Sequence, residues 1–182
     1  MFARTPRLLL RPGFPEDAAA LAEALADARV VRNLAIMPWP YTLRDAEAFL
    51  AAPRDPVLPS FLIFERTQAQ PRLVGSCGLA RRASGAVELG YWTGRPFWGR
   101  GLATEACTAL IAIARSLRLK QLEASYFTDN PASARVLEKL GFVATGIVAP
   151  RMSCGRGAEA PARLMRLQLA ADPAKQDEAL AA

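Results

Sequence analysis

The segment Trp98-Gly99-Arg100-Gly101-Leu102-Ala103-Thr104-Glu105 has the residue types of an anion site. It follows an apolar run, Val87 to Thr93, and leads into a helical pattern through a loop, Gly94 to Gly101, holding three glycines and a proline. Glycine lets an anion approach the backbone with no side chain in the way. Amides at a helix start point outward, and the helix dipole adds partial positive charge there. Arg100 adds a full charge. This chemistry is anion binding without a choice of anion, and a plain strand-to-helix connector also uses glycines.

Other site chemistries fit badly. There is no G-x-x-x-x-G-K-[ST], which disfavours a P-loop. A dinucleotide fingerprint belongs in an early βαβ unit, whereas this turn lies past mid-chain. Histidine is absent, which excludes a Ser-His-Asp triad, a Cys-His pair and a histidine-ligated metal. Cys77, Cys107 and Cys154 show neither CxxC nor metal-ligand spacing, so buried thiols are expected, with no disulfide framework and no metal. Acid and base work would fall to carboxylates, hydroxyls, amines or water.

The elements that must position this segment read as follows. Leu8-Leu9-Leu10, ended by Arg11-Pro12, forms a first strand. Pro15, Glu16 and Asp17 open an alanine-rich helix, with proline in the first turn and acids at its positive end. Met37-Pro38-Trp39-Pro40-Tyr41 is a stiff connector. Thr42 caps a helix running to about Ala51, with Asp45 three residues on. Phe61 to Glu65, Leu73 to Leu79 and Val87 to Thr93 are strands. After the glycine loop, Leu102, Ala106, Leu110, Ile113 and Leu117 make one helical stripe. Leu122 to Phe127 is a strand. Asn130-Pro131 caps and opens a helix carrying Val136, Leu137 and Leu140 inward and stopping at Gly141. Phe142 to Val148 and Leu164 to Leu169 are the last strands. The class is mixed α/β around one central sheet of about seven strands flanked by about four helices.

The chain has 182 residues, enough for one domain with a substantial core. With 52% hydrophobic and 22% charged residues it sits in the globular range. One domain is expected over residues 1–171, with a frayed tail at 172–182. No apolar run reaches the length of a membrane span. Met1 to Arg11 lacks the apolar core and cleavage site of a signal peptide, so a cytoplasmic location is expected. The net charge of +6 comes from basic residues spread along the chain, a pattern that suits a polyanionic small molecule as well as nucleic acid; no nucleic-acid partner is expected.

The glycine segment resembles the acyl-CoA signature of the GNAT N-acetyltransferases, (Gln/Arg)-x-x-Gly-x-(Gly/Ala), aligned as Trp98-Gly99-Arg100-Gly101-Leu102-Ala103, with Trp98 departing at the first position. Tryptophan followed by Gly-Arg-Gly-Leu-Ala-Thr-Glu-Ala is similar to the branch that includes the ribosomal-protein alanine N-acetyltransferases. Thr5 to Arg11 resembles the opening strand of that branch, Pro40 to Ala46 its second-helix entry, and Glu88 to Trp92 its fourth strand. Asn130-Pro131-Ala132-Ser133 through Lys139-Leu140-Gly141-Phe142 resembles its penultimate helix. The resemblance implies a GNAT-like, mostly antiparallel twisted sheet, acetyl-CoA as donor, and a primary amine as acceptor that attacks the thioester directly in a ternary complex. It also implies that the backbone of Tyr91, Trp92 and Thr93 lies along the pantetheine arm, with Trp98, Gly99, Arg100, Gly101, Leu102, Ala103 and Thr104 around the pyrophosphate. The side chains of Tyr91 and Trp92 read equally as core.

Thioester aminolysis needs a neutral amine, and a lysine-like amine is only about 0.1% neutral at pH 7. Glu88 shares a strand face with Gly90 and Trp92 and is the candidate base; the alternative is an exposed carboxylate or an arginine partner. A backbone N–H near the strand end is a candidate oxyanion donor, a role worth roughly 3 kcal/mol elsewhere. Many members of the family carry an acidic tyrosine where this chain has Leu137; the branch implies Ser133 as acid, while its position also suits a cap or a cofactor contact. Asn130 fits either a cofactor contact or its capping duty. Met37, Trp39 and Tyr41 would line the acceptor groove or pack beneath a loop. The leading acceptor is a protein or peptide α-amine; a small-molecule amine, or a CoA-binding module without turnover, are the alternatives. The chain is expected as a monomer or homodimer.

Overall fold

The computed structural model describes residues 1–169; the tail expected at 172–182 lies outside the described residues. Eight strands form one sheet: β1 (Ala3–Arg4), β2 (Leu8–Arg11), β3 (Ser60–Glu65), β4 (Arg72–Arg81), β5 (Val87–Thr93), β6 (Gln121–Phe127), β7 (Val143–Ser153) and β8 (Ala158–Gln168). Their spatial order is β1-β2-β3-β4-β5-β6-β8-β7. Neighbours are antiparallel except β5 and β6, which run parallel. Five helices cover the faces: α1 (Ala18–Ala24), α2 (Ala28–Val31), α3 (Leu43–Ala51), α4 (Leu102–Ser116) and α5 (Pro131–Lys139).

Alternation along the strands divides the interior in two. Phe61 and Ile63 of β3 join Leu89, Leu102, Leu110 and Leu137 on the face covered by α4 and α5. Leu62 and Phe64 turn the other way, to Leu21, Val31, Leu50 and Trp92 under α1, α2 and α3. In α4 the buried stripe runs through Leu102, Ala106 and Leu110 and then drifts to Ile111 and Ala114, because 3.6 residues per turn carries a seven-residue spacing round the helix. Ile113 and Leu117, expected in the stripe, are half-buried.

Local signals start these helices as the sequence indicates. Thr42 Oγ1 accepts from Asp45 N at 3.3 Å and Asp45 Oδ2 accepts from Thr42 N at 2.8 Å, a reciprocal capping box. Asn130 Oδ1 accepts from Ser133 N at 3.2 Å, ahead of Pro131. The count differs from the expected seven strands and four helices at short elements. β1 is two residues long, and α2 is a single turn capped by Asp27, whose side chain accepts from Arg29 N at 2.9 Å. Neither is long enough to show a period. The β7–β8 hairpin also outruns the expected strands, pairing Pro150 with Pro161 and reaching Ser153 opposite Ala158; its outer half is exposed, so no apolar alternation marks it. Among the described residues no helix is long and apolar enough to cross a membrane.

An ion pair fastens the end of β2 to the start of α1. Asp17 accepts from both Arg11 terminal nitrogens at 2.7 Å and from Phe14 N at 2.8 Å, and the Arg11 guanidinium lies 4.1 Å from the Phe64 ring centre. Burial pushes the Asp17 carboxyl up, but the Arg11 and Phe14 hydrogen bonds and the arginine charge outweigh it and hold it below the ordinary value. A depressed folded-state pKa stabilises above the unfolded value and loses that contribution as pH falls through the folded one. Urea melts should therefore show part of the stability lost below about pH 4. Asp17→Asn should cost about 2 kcal/mol at pH 7 and show a weaker loss on acidification.

Candidate active site

Parallel pairing of β5 and β6 puts Glu88 opposite Glu123, near the amino-terminal ends of both strands. Among the described residues the pairing is not carried on toward Thr93 and Phe127, so the strands part toward their carboxyl ends. The site is built around that opening. A Cβ placed at Gly90, on its wall, would meet nothing within 4 Å.

One flank is an amide cradle. Gly99 and Gly101 hold φ of +73° and +75°, values that favour glycine over any residue with a Cβ. A Cβ at Gly99 would meet nothing within 4 Å, and one at Gly101 only Arg7 Nη2 at 3.7 Å. Gly101 is the N-cap of α4, with no side-chain cap, so the first-turn amides face outward at the positive end of a 15-residue helix. This arrangement fits a pyrophosphate: open space, uncapped amides and a helix dipole. Leu102 itself is buried, so its part is its amide. Trp98 Nε1 donates to the Thr93 carbonyl at 2.7 Å, tying the end of β5 to the loop.

Two charge clusters brace the cradle. Glu105, in the first turn of α4, accepts from Thr5 Oγ1 at 2.6 Å, Arg7 N at 2.9 Å and Arg7 Nε at 2.6 Å. Arg7 Nη1 then donates to the Arg100 carbonyl at 3.0 Å. Burial pushes the Glu105 carboxyl up, but these donors outweigh it and hold it below its usual range. The Arg100 side chain turns back to Glu65, which also accepts from Arg72 Nη2 at 3.2 Å. Arg100, with Arg72 adding to it against a cost of burial, holds the Glu65 carboxyl below the ordinary value. Two guanidiniums against one carboxylate leave that cluster positive beside the cradle. Neither the Arg7–Glu105 contact nor Glu65 was foreseen from sequence.

The candidate acid and base enter from opposite faces. Tyr91 and Ser133 meet on the α4–α5 side, where the Tyr91 phenol lies 2.7 Å from Ser133 Oγ. Burial pushes the phenol well above the ordinary tyrosine range. Glu88 and Trp92 face the α1–α3 side. Trp92 is core there, the alternative its sequence position left open. Glu88 accepts from Arg151 Nη1 at 2.6 Å and Ser125 Oγ at 2.8 Å, and Arg82 Nε lies 3.2 Å from its other oxygen. The arginine-partner reading of Glu88 is therefore realised.

Arg151 arrives on the β7–β8 hairpin, whose tip is fastened to the α2 segment. Ser153 Oγ donates to the Leu34 carbonyl and Cys154 N to the Ala35 carbonyl, each at 2.9 Å. Arg156 donates to the Arg32 carbonyl at 2.7 Å and pairs with Asp129 at 2.8 Å. Of the expected groove residues, Met37 is half-buried and Trp39 is 44% exposed. Tyr41 instead packs inside the α1–α3 core, its hydroxyl without a partner, and burial, with Asp45 nearby, pushes its pKa up to about 12. Arg151 and Ser125 carried no sequence signal. Among the described residues no group of three or more metal-ligating side chains gathers.

An open α/β sheet with an anion cradle at the carboxyl end of a parallel strand defines a protein that holds a phosphorylated ligand at a helix start, beside the point where the sheet opens. Residues 7–143 match the family described as acetyltransferase (GNAT) domain, and the chain belongs to that acetyltransferase family. An uncharacterized N-acetyltransferase, p20, from Bacillus licheniformis is 30% identical over 153 residues, covering 79% of this chain and 83% of the relative. An acetyltransferase of the GNAT family from Bacillus anthracis superposes with a TM-score of 0.78 at 22% identity, over 92% of this chain and 98% of that one. RimL, a ribosomal L7/L12 alpha-N-protein acetyltransferase solved with coenzyme A, gives 0.75 at 19% identity, over 94% and 100%. The family, the fold and the acyltransferase class implied by the sequence resemblance all hold.

Glu105→Ala removes the carboxylate that accepts from Thr5 and Arg7 and should cost about 2 kcal/mol in urea melts. Glu105→Gln, which keeps the Thr5 contact possible but loses the charge, should fall between.

Proposed function

We propose that this chain transfers the acetyl group of acetyl-CoA to the α-amino group of a protein or peptide by direct attack in a ternary complex. The reading rests on one observation above all: the parallel strands part between an uncapped amide cradle on one side and a carboxylate, Glu88, on the other. The amides following Gly99 and Gly101 hold the pyrophosphate, and the ends of Tyr91, Trp92 and Thr93 guide the pantetheine arm. Bound acetyl-CoA supplies the activated acetyl thioester.

The chain's own groups handle the protons. An α-amine with pKa near 8 is about 10% neutral at pH 7, a hundredfold more than a lysine side chain. That modest demand suits Glu88, whose oxygens are already engaged by two arginines and a serine, as the acceptor of the amine's proton directly or through water. Ser133 Oγ is the candidate donor to the departing sulfur. Tyr91 retains its proton and orients Ser133, while Asn130 fixes the start of α5. The proton lost at nitrogen equals the one gained at sulfur. The RimL neighbour, named for an α-N-protein substrate, supports the choice of acceptor. The buried thiols Cys77 and Cys107 and the exposed Cys154 suit a reducing compartment, which supports a cytoplasmic enzyme.

Isothermal titration should show micromolar-range acetyl-CoA binding that Gly101→Asp abolishes, since the aspartate adds a negative charge and a strained backbone to the cradle. Failure of the folded wild type to bind would end this reading. In steady state, Glu88→Gln should change the shape of the rate–pH profile, and an unchanged profile removes Glu88 from proton transfer. Ser133→Ala should lower kcat; a normal kcat with a raised acetyl-CoA KM leaves Ser133 a binding role only.

A further inference from the structure

Glu88 and Arg151 come from strands separated in the sheet by β6 and β8, and they meet because the hairpin folds over the opening. They pair at 2.6 Å. Both are partly in water, with side chains 14% and 23% exposed, so the pair is accessible to a competitor. Gly90, on the same strand face as Glu88, leaves open space beside it. Around this point the cations outnumber the anions: Arg82 and Arg151 surround Glu88, Arg166 pairs with Glu123 opposite it, and Arg32 and Arg156 surround Asp129. Such a wall repels a polycationic acceptor and draws an anionic one. A guanidinium fork matches a carboxylate in shape as well as charge.

We propose, resting on the acetyl-transfer reading, that the acceptor carries a carboxylate close to its reactive amine, and that Arg151 is the residue that reads it. In this arrangement the acceptor's ammonium replaces Arg151 on Glu88 while its carboxylate takes up the released Arg151 guanidinium. One ion pair becomes two, and the amine arrives beside the group assigned to receive its proton. The carboxylate has two possible sources: an acidic side chain next to a peptide N-terminus, or the α-carboxylate of a free amino acid.

The test titrates protein saturated with free CoA, which binds the cradle without turnover, with two matched pairs of probes. One pair is Ala-Glu-Ala-amide and Ala-Gln-Ala-amide; the other is free alanine and alaninamide. At least one pair should favour the carboxylate-bearing probe by about tenfold in Kd, and the preferred pair identifies the source. In Arg151→Gln that ratio should collapse toward one, whereas Arg151→Lys, keeping the charge without the fork, should retain part of it. The same ordering should appear in kcat/KM with acetyl-CoA. Equal affinities within both pairs, or no binding of any probe, overturn the proposal. The wild-type comparison decides the matter even if Arg151→Gln does not fold. Loss of acetyl-CoA binding itself would instead bring down the transfer reading, so the two failures are distinguishable.

Discussion

Two parallel strands in an otherwise antiparallel sheet set the conditions for everything else in this molecule. Antiparallel neighbours can be joined by a tight turn, but a parallel pair needs a long crossover. Between β5 and β6 that crossover is α4, so the amino terminus of a 15-residue helix is delivered to the carboxyl end of β5. There the strands have parted beyond Glu88 and Glu123. The helix start is therefore a consequence of one strand direction, and it is delivered to the end of β5 where the gap lies.

Placing an anion cradle at that start creates an electrostatic problem. The first turn of α4 carries Glu105, which complements the dipole but opposes an incoming phosphate. The structure resolves this by spending the carboxylate on the β1–β2 turn, where Thr5 and Arg7 consume its oxygens. Arg7 then continues to the Arg100 carbonyl, within the glycine loop. One contact thus neutralises the unfavourable charge, anchors the edge of the sheet and holds the loop in the conformation that exposes its amides. Arg100, held by Glu65, contributes field to the cradle from the side.

The opposite wall has a different logic. The β7–β8 hairpin is longer than its share of the core requires, and its outer half is mostly exposed. Its length is explained by where it ends: against the α2 segment, with Arg151 reaching Glu88 over the opening. The surroundings of Glu88 are consequently assembled from separate parts of the chain, at Arg82, Ser125 and Arg151, whereas the glycine loop is continuous in sequence.

That contrast also separates what was legible in the amino acids alone from what was not. The glycines at 99 and 101, the caps Thr42 and Asn130 and the repeat in α4 act through backbone and neighbours a few residues away, so their meaning survives in one dimension. The main strands and helices follow from them, and the family follows from the resemblance that the glycine segment carries. The partners of Glu105, Glu88 and Ser133 lie 98, 63 and 42 residues away at Arg7, Arg151 and Tyr91. No spacing rule connects residues so distant, and Tyr41 looks the same on paper whether it lines a groove or fills a core. Local backbone preference let the sequence by itself determine the main elements and the glycine turn that opens α4. Only the tertiary structure, by folding a hairpin across a split between strands, decided which charges confront one another in the cleft.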